Sequence, residues 1–396
     1  MSELTTLNQS VRELNDAQQA AVEATEGPVL IYAGAGSGKT KCLTHRIAHT
    51  IDLNLAKPED ILAISFTNKA AGELSRRILH LLGQEQLLTT KNNQLAVRRF
   101  LPWVGTFHSI CVRLLRLEAE KIGLSKNFSI YDTSDSQALV RQILKDMNLD
   151  TKQYHPSAIL SVISSAKNEL LSPAEFAPFV QGHFQSVALD VYKKYQAELT
   201  KVGGLDFDDL IMTTVKMLKT DEAIRQFYQS RFKYVLVDEY QDTNQAQYQL
   251  TKLLVNPQTK NICVVADYFQ SIYGCRGANF QNLLNFQKDF PGAQVFKLEQ
   301  NYRSTKTILS GANHVIERVK KRSDKKLWTD NEQGPPITIY EASNAYDEAE
   351  FIAREVTTLK NINYQWNDFA VLYRTNAQSR VLEEIFLSEG VPYRLL

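Results

Sequence analysis

Short apolar runs recur along the chain, and a turn or a helical pattern follows each of them. The runs are nearly continuous rather than alternating, which is typical of strands buried on both faces of a parallel sheet. Strands that alternate with helices favour a doubly wound α/β sheet. We therefore predict an α/β fold with the strands VLIYA (29–33), ILAISF (61–66), WVGTF (103–107), YVLVDE (234–239), ICVVAD (262–267), VFKLEQ (295–300), ITIYEA (337–342) and FAVLYR (369–374).

The alternation stops between about residues 108 and 205, where helical patterns occur without a convincing buried strand. The simplest interpretation is a helical subdomain inserted into an α/β domain. A second boundary is predicted near residue 291, at the turn sequence PGAQ. The predicted parts are a first lobe at 1–110, the insertion at 111–204, the rest of the first lobe at 205–290 and an incomplete second lobe at 291–396.

Charge is balanced over the 396 residues, with 45 Lys and Arg against 44 Asp and Glu and a net charge of +1. This excludes a histone-like protein, and a nucleic-acid partner requires positive charge that is local. The segment VIERVKKRSDKK is locally basic. It is either a solvated helix end and loop or a surface that contacts phosphates.

The cysteines and the N-terminus indicate the compartment. Cys42, Cys111, Cys263 and Cys275 form no CxxC pair, which argues against a zinc cluster and fits a reduced protein. The N-terminus is polar and lacks the apolar core of a signal peptide. No apolar run approaches the length of a membrane span. We predict a cytoplasmic protein.

The most specific motif is a run of small residues between an apolar run and a helical pattern. Small residues let the backbone fold tightly, so that several N–H groups point at phosphate oxygens. The next helix adds its positive N-terminal end. Lys39 is predicted to reach the β- and γ-phosphates of ATP, and the Thr40 hydroxyl to bind Mg²⁺. The motif consists of Ala33, where the strict pattern has glycine, and Gly34, Ala35, Gly36, Ser37, Gly38, Lys39 and Thr40.

Two acidic residues, Asp238 and Glu239, end the run YVLVDE. Ligands of open α/β sheets bind at the carboxyl ends of the strands. Asp238 is predicted to hold Mg²⁺ through its water shell, and Glu239 to polarise the water that attacks the γ-phosphate. Two acids at the end of a strand can also form a solvated turn, but the phosphate-binding loop favours the metal site.

Eight short motifs follow one another along the chain. They are LNDAQ (14–18), AGAGSGKT (33–40), SFTNKAA (65–71), GTFHS (105–109), LDFDDL (205–210), VDEYQDTN (237–244), QSIYGCRGA (270–278) and LEQNYRS (298–304). In this order they resemble the motifs of superfamily 1 DNA helicases of the UvrD/PcrA/Rep type, and ILAISFTNKAAGEL and AVLYRTNAQSR resemble the PcrA branch in particular. The resemblance covers essentially the whole chain.

The resemblance implies two RecA-like lobes and a set of nucleotide contacts. Gln18 would read the adenine edge, and Tyr302 would stack on the base. Gln270 would contact the γ-phosphate, and Arg303 would approach it from the second lobe. An arginine suits this role because a fixed positive charge stabilises the transferred phosphoryl group.

The resemblance also implies a single-strand groove along Phe66, Asn68, His108, Tyr273 and Arg276. Aromatic residues among polar and basic groups suit base stacking, which contributes about 1–3 kcal/mol per base. Without the family, each of these aromatics would more often be a core residue.

The motif LDFDDL also has a local interpretation, because Asp206 and Asp209 are spaced as a capping box at the start of a helix. This structural role is at least as well supported as a functional one.

The chain departs from the family pattern in three respects. Ala266 stands where the family usually has glycine, and Cys275 where it has a bulky aromatic that would stack on DNA. The family's later motifs, including one that supplies a second arginine, are not found before Leu396. We therefore expect the N-terminal portion of a longer protein.

The predicted function is that of an ATP-dependent DNA helicase of 3′→5′ polarity, which moves on single-stranded DNA and unwinds 3′-tailed duplexes. Proteins of DNA repair or replication are candidate partners. One alternative is a fragment that binds ATP and single-stranded DNA without motor activity. Another is a different P-loop enzyme such as a kinase, which the motifs GTFHS and QSIYGCRGA disfavour.

Overall fold

The computed structural model of the chain describes residues 13–89, 93–101, 103–271, 279, 281–318 and 326–395. The chain separates into two compact units, Met1–Gln333 and Gly334–Leu396, called the first and second units below. Among the described residues, no helix is both long and apolar enough to cross a membrane.

The strands of the first unit are β1 (Val29–Ala33), β2 (Ile61–Ser65), β3 (Val104–Thr106), β4 (Ser129–Tyr131), β5 (Gly204–Asp206), β6 (Tyr234–Val237), β7 (Ile262–Ala266) and β8 (Gln294–Leu298). Its helices are α1 (Asp16–Glu23), α2 (Lys39–Asp52), α3 (Asn68–Leu81), α4 (Gln86–Thr89), α5 (Asn93–Phe100), α6 (Phe107–Glu118), α7 (Thr133–Asp146), α8 (Pro156–Asn168), α9 (Pro173–Phe176), α10 (Gly182–Val202), α11 (Phe207–Thr220), α12 (Glu222–Arg231), α13 (Gln245–Leu254), α14 (Gln281–Asp289) and α15 (Lys306–Glu317). The helices of the second unit are α16 (Ala345–Lys360) and α17 (Ser379–Ser388). Short 3₁₀ turns occupy Pro58–Asp60, Ala119–Ile122, Ala177–Phe179, Tyr240–Asp242, Trp366–Asp368 and Asn376–Gln378.

A parallel sheet of order β3-β2-β6-β7-β1-β8 forms the centre of the first unit. Successive residues of its strands pack into two different apolar cores. Leu30 lies in one core, and Val29 and Ile31 lie in the other. A strand that is apolar on both faces reads as a continuous apolar run, so the predicted α/β fold class is confirmed.

Strand β8 lies beyond residue 291, where the sequence predicts a new lobe. It nevertheless pairs with β1, with Val295 opposite Leu30. The first unit ends only at Gln333. The run VFKLEQ therefore completes the edge of the first sheet, because its backbone groups bond to β1.

The insertion has an apolar core of its own, formed by α7, α8 and α10 around Val140, Ile163 and Tyr195. The helices predicted there are present. No convincing buried strand was expected there, but β4 and β5 form a two-stranded parallel sheet with Ile130 opposite Leu205. Strand β4 is exposed to half-buried, and β5 has a single large apolar side chain, so neither gives a continuous apolar run.

The second unit contains α16 and α17, which pack around Ala353, Phe386 and Val391. The prediction of buried strands at 337–342 and 369–374 was wrong, since both segments lack strand structure. Ile339 is 90% exposed and Leu372 is 92% exposed. Backbone groups form a strand only where a neighbouring strand bonds to them, and the described part of this unit contains none.

Candidate active site

The phosphate-binding loop joins strand β1 of the parallel sheet to helix α2. Gly36 and Gly38 have φ angles of 68° and 84°, a region in which side chains are unfavourable. A Cβ on Gly36 would lie 2.6 Å from the side-chain nitrogen of Asn301, so this glycine also permits a close approach. The loop thus turns tightly at the carboxyl end of β1 and places the N-terminus of α2 where an anion is favoured.

Lys39 and Glu239 are brought together from distant parts of the sequence. The Lys39 Nζ lies 2.9 Å from Glu239 Oε1 and 2.8 Å from Oε2. Glu239 has a φ of 47°, which is unusual for a residue other than glycine. Strained backbone of this kind clusters at functional sites. The two predicted residues therefore form one ion pair at the carboxyl ends of β1 and β6.

Gln241 holds Glu239 in place. Its Nε2 donates to Glu239 Oε2 at 2.8 Å, and its Oε1 accepts the Asp267 N–H at 3.0 Å. Gln241 is fully buried, and it joins the segment after β6 to the end of β7. Sequence analysis did not identify it as a site residue, although it lies two positions after Glu239.

Asp238 is 6% exposed. Burial, followed by the neighbouring charge of Glu239, raises the pKa of Asp238 to about 6, and Lys39 opposes the shift. Its Oδ1 accepts the backbone N–H of Glu239 at 3.0 Å.

The residues around this carboxylate fit a magnesium ion. Thr40 belongs to the first turn of α2 and offers a second hard oxygen. Mg²⁺ typically takes one or two protein oxygens, with phosphates and waters completing its shell. A buried carboxylate is also stabilised by a cation. Asp238 and Thr40 are therefore the residues that would hold Mg²⁺.

The segment LEQNYRS lies against the phosphate-binding loop. Asn301 Nδ2 donates to the Ala35 carbonyl at 2.6 Å, and the Tyr302 N–H donates to the Gly36 carbonyl at 2.9 Å. A Cβ on Gly36 would lie 2.7 Å from the Cβ of Arg303. The structure thus places Tyr302 and Arg303 beside the loop within the first unit, whereas Arg303 was expected on a second lobe.

Gln18 also reaches the loop, but its side chain is only 2% exposed. Its Nε2 donates to the Ser37 carbonyl at 2.9 Å, and its Oε1 accepts the Asn15 N–H at 3.2 Å. An adenine would therefore reach Gln18 only after a local movement.

Gln270 belongs to the turn after β7, where its N–H donates to the Asp267 carbonyl at 3.2 Å. This turn lies at the same edge of the sheet as the loop, because β7 is the neighbour of β1.

Three predicted DNA contacts follow the neighbouring strands β2 and β3. Phe66 is half-buried and packs edge-to-face on Phe107, with ring centroids 5.7 Å apart. Asn68 is exposed at the start of α3. The His108 ring lies 5.6 Å from that of Phe207, which is exposed and was not identified from the sequence. Burial lowers the pKa of His108.

The remaining two predicted contacts, Tyr273 and Arg276, lie outside the described residues, as does Cys275. Exposed Asn68 and Phe207 fit a surface that contacts a ligand. The packing of Phe66 on Phe107 shows that its ring also contributes to the core.

The motif LDFDDL has the predicted structural role. Asp206 caps α11 by accepting the Asp209 N–H at 2.8 Å, and Asp209 accepts the Asp206 N–H at 3.3 Å. The fully buried Lys167 adds ion pairs of 2.7 Å to Asp206 and 2.8 Å to Asp209. Lys167 comes from α8, so the cluster fastens the insertion to α11.

Two family models match consecutive parts of the chain. The UvrD/REP helicase N-terminal domain matches residues 14–291, and the UvrD-like helicase C-terminal domain matches residues 296–396. The junction of these matches lies near the boundary predicted at residue 291, whereas the compact units divide after Gln333.

Curated relatives give the same assignment. The chain is 46% identical over 390 residues to proteins named ATP-dependent DNA helicase PcrA from Staphylococcus epidermidis and Staphylococcus aureus. The alignments cover 98% of this chain and 52% of each relative, so the chain spans about half the length of the curated relatives it matches. Together with the ordered motifs and the loop geometry, these matches show that the chain belongs to the UvrD/REP helicase family.

Proposed function

We propose that this chain binds ATP with Mg²⁺ and supplies the hydrolytic site of an ATP-dependent DNA helicase. The observation that carries the proposal is the contact between Lys39 and Glu239 beside the phosphate-binding loop. It brings a phosphate-binding cation and a candidate general base to one edge of the sheet. The names of the relatives support the same activity.

Each residue of the site has a chemical role in this proposal. Lys39 leaves Glu239 and neutralises the β- and γ-phosphates, and the freed Glu239 carboxylate polarises the attacking water. Arg303 and Gln270 contact the γ-phosphate. The magnesium ion, held by Asp238 and Thr40, would neutralise charge on the phosphate oxygens. Gln241 keeps the Glu239 carboxylate in position.

The DNA partner is single-stranded DNA, with 3′-tailed duplex as the substrate for unwinding and 3′→5′ as the polarity. The groove runs along Phe66, Asn68 and His108, and Tyr273 and Arg276 are further proposed contacts of the single strand. We retain four parts: RecA-like lobe 1 at 1–110 and 205–290, the helical insertion at 111–204 and the start of RecA-like lobe 2 at 291–396. The protein would act in the cytoplasm in repair or replication.

A second candidate function is binding of ATP and single-stranded DNA without movement. It is favoured by the unpaired apolar segments 337–342 and 369–374, because a lobe without a sheet cannot close firmly on the γ-phosphate. Under this alternative the chain hydrolyses ATP slowly, with little stimulation by single-stranded DNA. ATP turnover with and without single-stranded DNA, and strand separation of a 3′-tailed duplex, distinguish the two functions.

Two substitutions test the hydrolytic site. Lys39→Ala removes the phosphate contact, so we expect weaker ATP binding by calorimetry and loss of turnover. Glu239→Gln keeps the shape but removes the charge, so ATP binding persists while phosphate release slows. Lys41→Ala is the matched control, since Lys41 Nζ instead contacts the Glu13 carbonyl at 3.1 Å. Parent-like binding and turnover in both site variants would show that the assignment is wrong.

The groove is tested with Phe66→Ala and Phe207→Ala. Loss of one stacking platform weakens single-strand binding by about 1–3 kcal/mol per base. Affinity falls with salt, because phosphate contacts release counterions. Fluorescence anisotropy of a labelled oligonucleotide measures both effects, and unchanged affinity in both variants would place the groove elsewhere.

A further inference from the structure

Asn15 uses its side chain to contact two parts of the candidate adenine site. Its Oδ1 accepts the Gln18 N–H at 2.8 Å and so caps α1. Its Nδ2 donates to Tyr302 Oη at 2.7 Å and to Gln300 Oε1 at 3.2 Å. An asparagine amide has two donor hydrogens and an acceptor oxygen. Both hydrogens are used by Tyr302 and Gln300 after β8, and the oxygen caps the helix.

The contacts of Tyr302 form a closed triangle with Asn15 and Gln300. The Tyr302 hydroxyl donates to Gln300 Oε1 at 2.8 Å while it accepts from Asn15. Gln300 Nε2 in turn donates to Asp330 Oδ2 at 3.0 Å. The hydroxyl end of Tyr302 is therefore fixed, although the residue is 50% exposed. A fixed and exposed ring is suited to stacking on a base.

The same cap sets the orientation of the Gln18 amide. The Gln18 amide nitrogen faces the Ser37 carbonyl, which accepts, and the amide oxygen faces the Asn15 backbone N–H, which donates. A flipped amide would lose both hydrogen bonds, so the positions of Nε2 and Oε1 are fixed. One N–H and one lone pair of the amide are left for a ligand once a local movement exposes this buried side chain. Adenine presents an acceptor next to the N6 amino donor, whereas guanine presents the O6 acceptor there. A glutamine amide of fixed orientation therefore distinguishes the two bases.

We propose that Asn15 is a positioning residue for base selectivity. Its backbone N–H orients the Gln18 amide, and its side chain ties the start of α1 to the Tyr302 hydroxyl, so the two groups are held relative to each other. The inference rests on the proposed function, in which these two side chains contact adenine. Asn15 does not touch the base itself. Its side chain links the start of α1 to Tyr302 of the LEQNYRS segment, which lies 287 positions later in the sequence.

The test compares the affinities of the chain for ADP and GDP by calorimetry with Mg²⁺ present. These nucleotides differ only in the base and are not hydrolysed. Asn15→Ser keeps a good helix cap but is too short to reach Tyr302. Tyr302→Phe removes the hydroxyl and keeps the ring. Asn344→Ser is the matched control, since Asn344 caps α16 in the second unit.

We expect Asn15→Ser and Tyr302→Phe each to reduce the ADP preference about two- to tenfold, which corresponds to one hydrogen bond. The double variant should be no worse than either single variant, because both changes break the same contact. Asn344→Ser should retain the parent preference. Tyr302→Phe leaves the α1 cap intact, so it tests the contact even if Asn15→Ser is unstable.

Three results would overturn the inference, and they are distinguishable. If Gln18→Ala and Tyr302→Ala lower the ADP preference while Asn15→Ser and Tyr302→Phe do not, Asn15 has no positioning role but the adenine site stands. If Gln18→Ala and Tyr302→Ala also leave the preference unchanged, the adenine assignment itself is wrong. Additive losses in the double variant would likewise exclude a shared contact.

Discussion

Similar apolar sequences are buried as strands in the first unit and lie exposed outside strands in the second. In the first unit, all residues of β7, ICVVA, are buried between neighbouring strands. In the second unit, the largely apolar runs 337–342 and 369–374 are not strands and expose Ile339 and Leu372. An apolar run can therefore form a buried strand, but it does so only where a neighbouring strand is present to pair with it.

Ion pairs also differ between the two units in their burial. Lys167 is fully buried between Asp206 and Asp209 in the first unit. In the second unit, Arg380 pairs with Glu384 at 3.1 Å on an exposed helix face. The environment, rather than the residue types, decides how much each ion pair contributes to the stability of the fold.

The largest expected difference concerns these ion pairs. Lys167→Met leaves two buried carboxylates without a cation, so the free energy of unfolding should fall by about 3–5 kcal/mol. Arg380→Met breaks an exposed pair and should cost only about 0.3–0.5 kcal/mol. Urea unfolding and amide hydrogen exchange in each unit measure both losses of stability. Equal losses would contradict the contrast between the units.

The next difference concerns leucines of the apolar runs. Leu62 is buried in β2, whereas Leu372 is exposed. Leu62→Ala should therefore cost about 2–5 kcal/mol, through lost burial and a residual cavity. Leu372→Ala should change the stability by less than about 0.5 kcal/mol. Thermal unfolding tests this comparison, and a large loss in Leu372→Ala would show that the segment is packed in solution.

The smallest difference concerns two aspartates with opposite pKa shifts. Burial, followed by the charge of Asp206, raises the pKa of Asp208 from 3.8 to about 6. A raised folded-state pKa means that stability is lost as the pH rises between these values. Asp208→Asn should therefore stabilise the first unit at pH 8 by about 1–3 kcal/mol, with no gain near pH 4.

Asp347 in the second unit provides the contrast. Hydrogen bonds from Tyr340, and next from Ser343, lower the pKa of Asp347. A lowered pKa contributes stability at neutral pH that is lost as the pH falls through the folded-state value. Asp347→Asn should therefore destabilise the second unit at pH 8. Melting curves from pH 4 to pH 8 give the sign of each effect, and the same sign for both variants would contradict this explanation.

The central sheet could be predicted from the sequence because its strands are apolar on both faces and alternate with helices. The pair β4–β5 could not, since β4 is exposed to half-buried and β5 has a single large apolar side chain. Segments 337–342 and 369–374 were predicted wrongly for a different reason. Their residues have the right composition, but pairing depends on a partner strand, which a local pattern does not reveal.

The residues of the candidate site also differ in whether a local sequence pattern could predict them. Lys39, Asp238 and Glu239 could be identified because each ends a strand or begins a helix within a recognisable run. Gln241 and Asn15 could not, because their roles depend on contacts with Asp267 and Tyr302 that only the fold creates. Phe207 was overlooked because its motif was interpreted as a helix cap, which is also present.

Under the proposed function, the ion pair between Lys39 and Glu239 competes with nucleotide binding. The Glu239 carboxylate lies 2.8 Å from the lysine and would compete with a phosphate oxygen at the high effective concentration of an attached group. The nucleotide affinity would then be the intrinsic affinity reduced by the fraction of molecules in which Lys39 is free. The same exchange would have a kinetic benefit. Glu239 would be released from the lysine when nucleotide phosphates take its place, so the base would become available in the molecules that carry bound nucleotide.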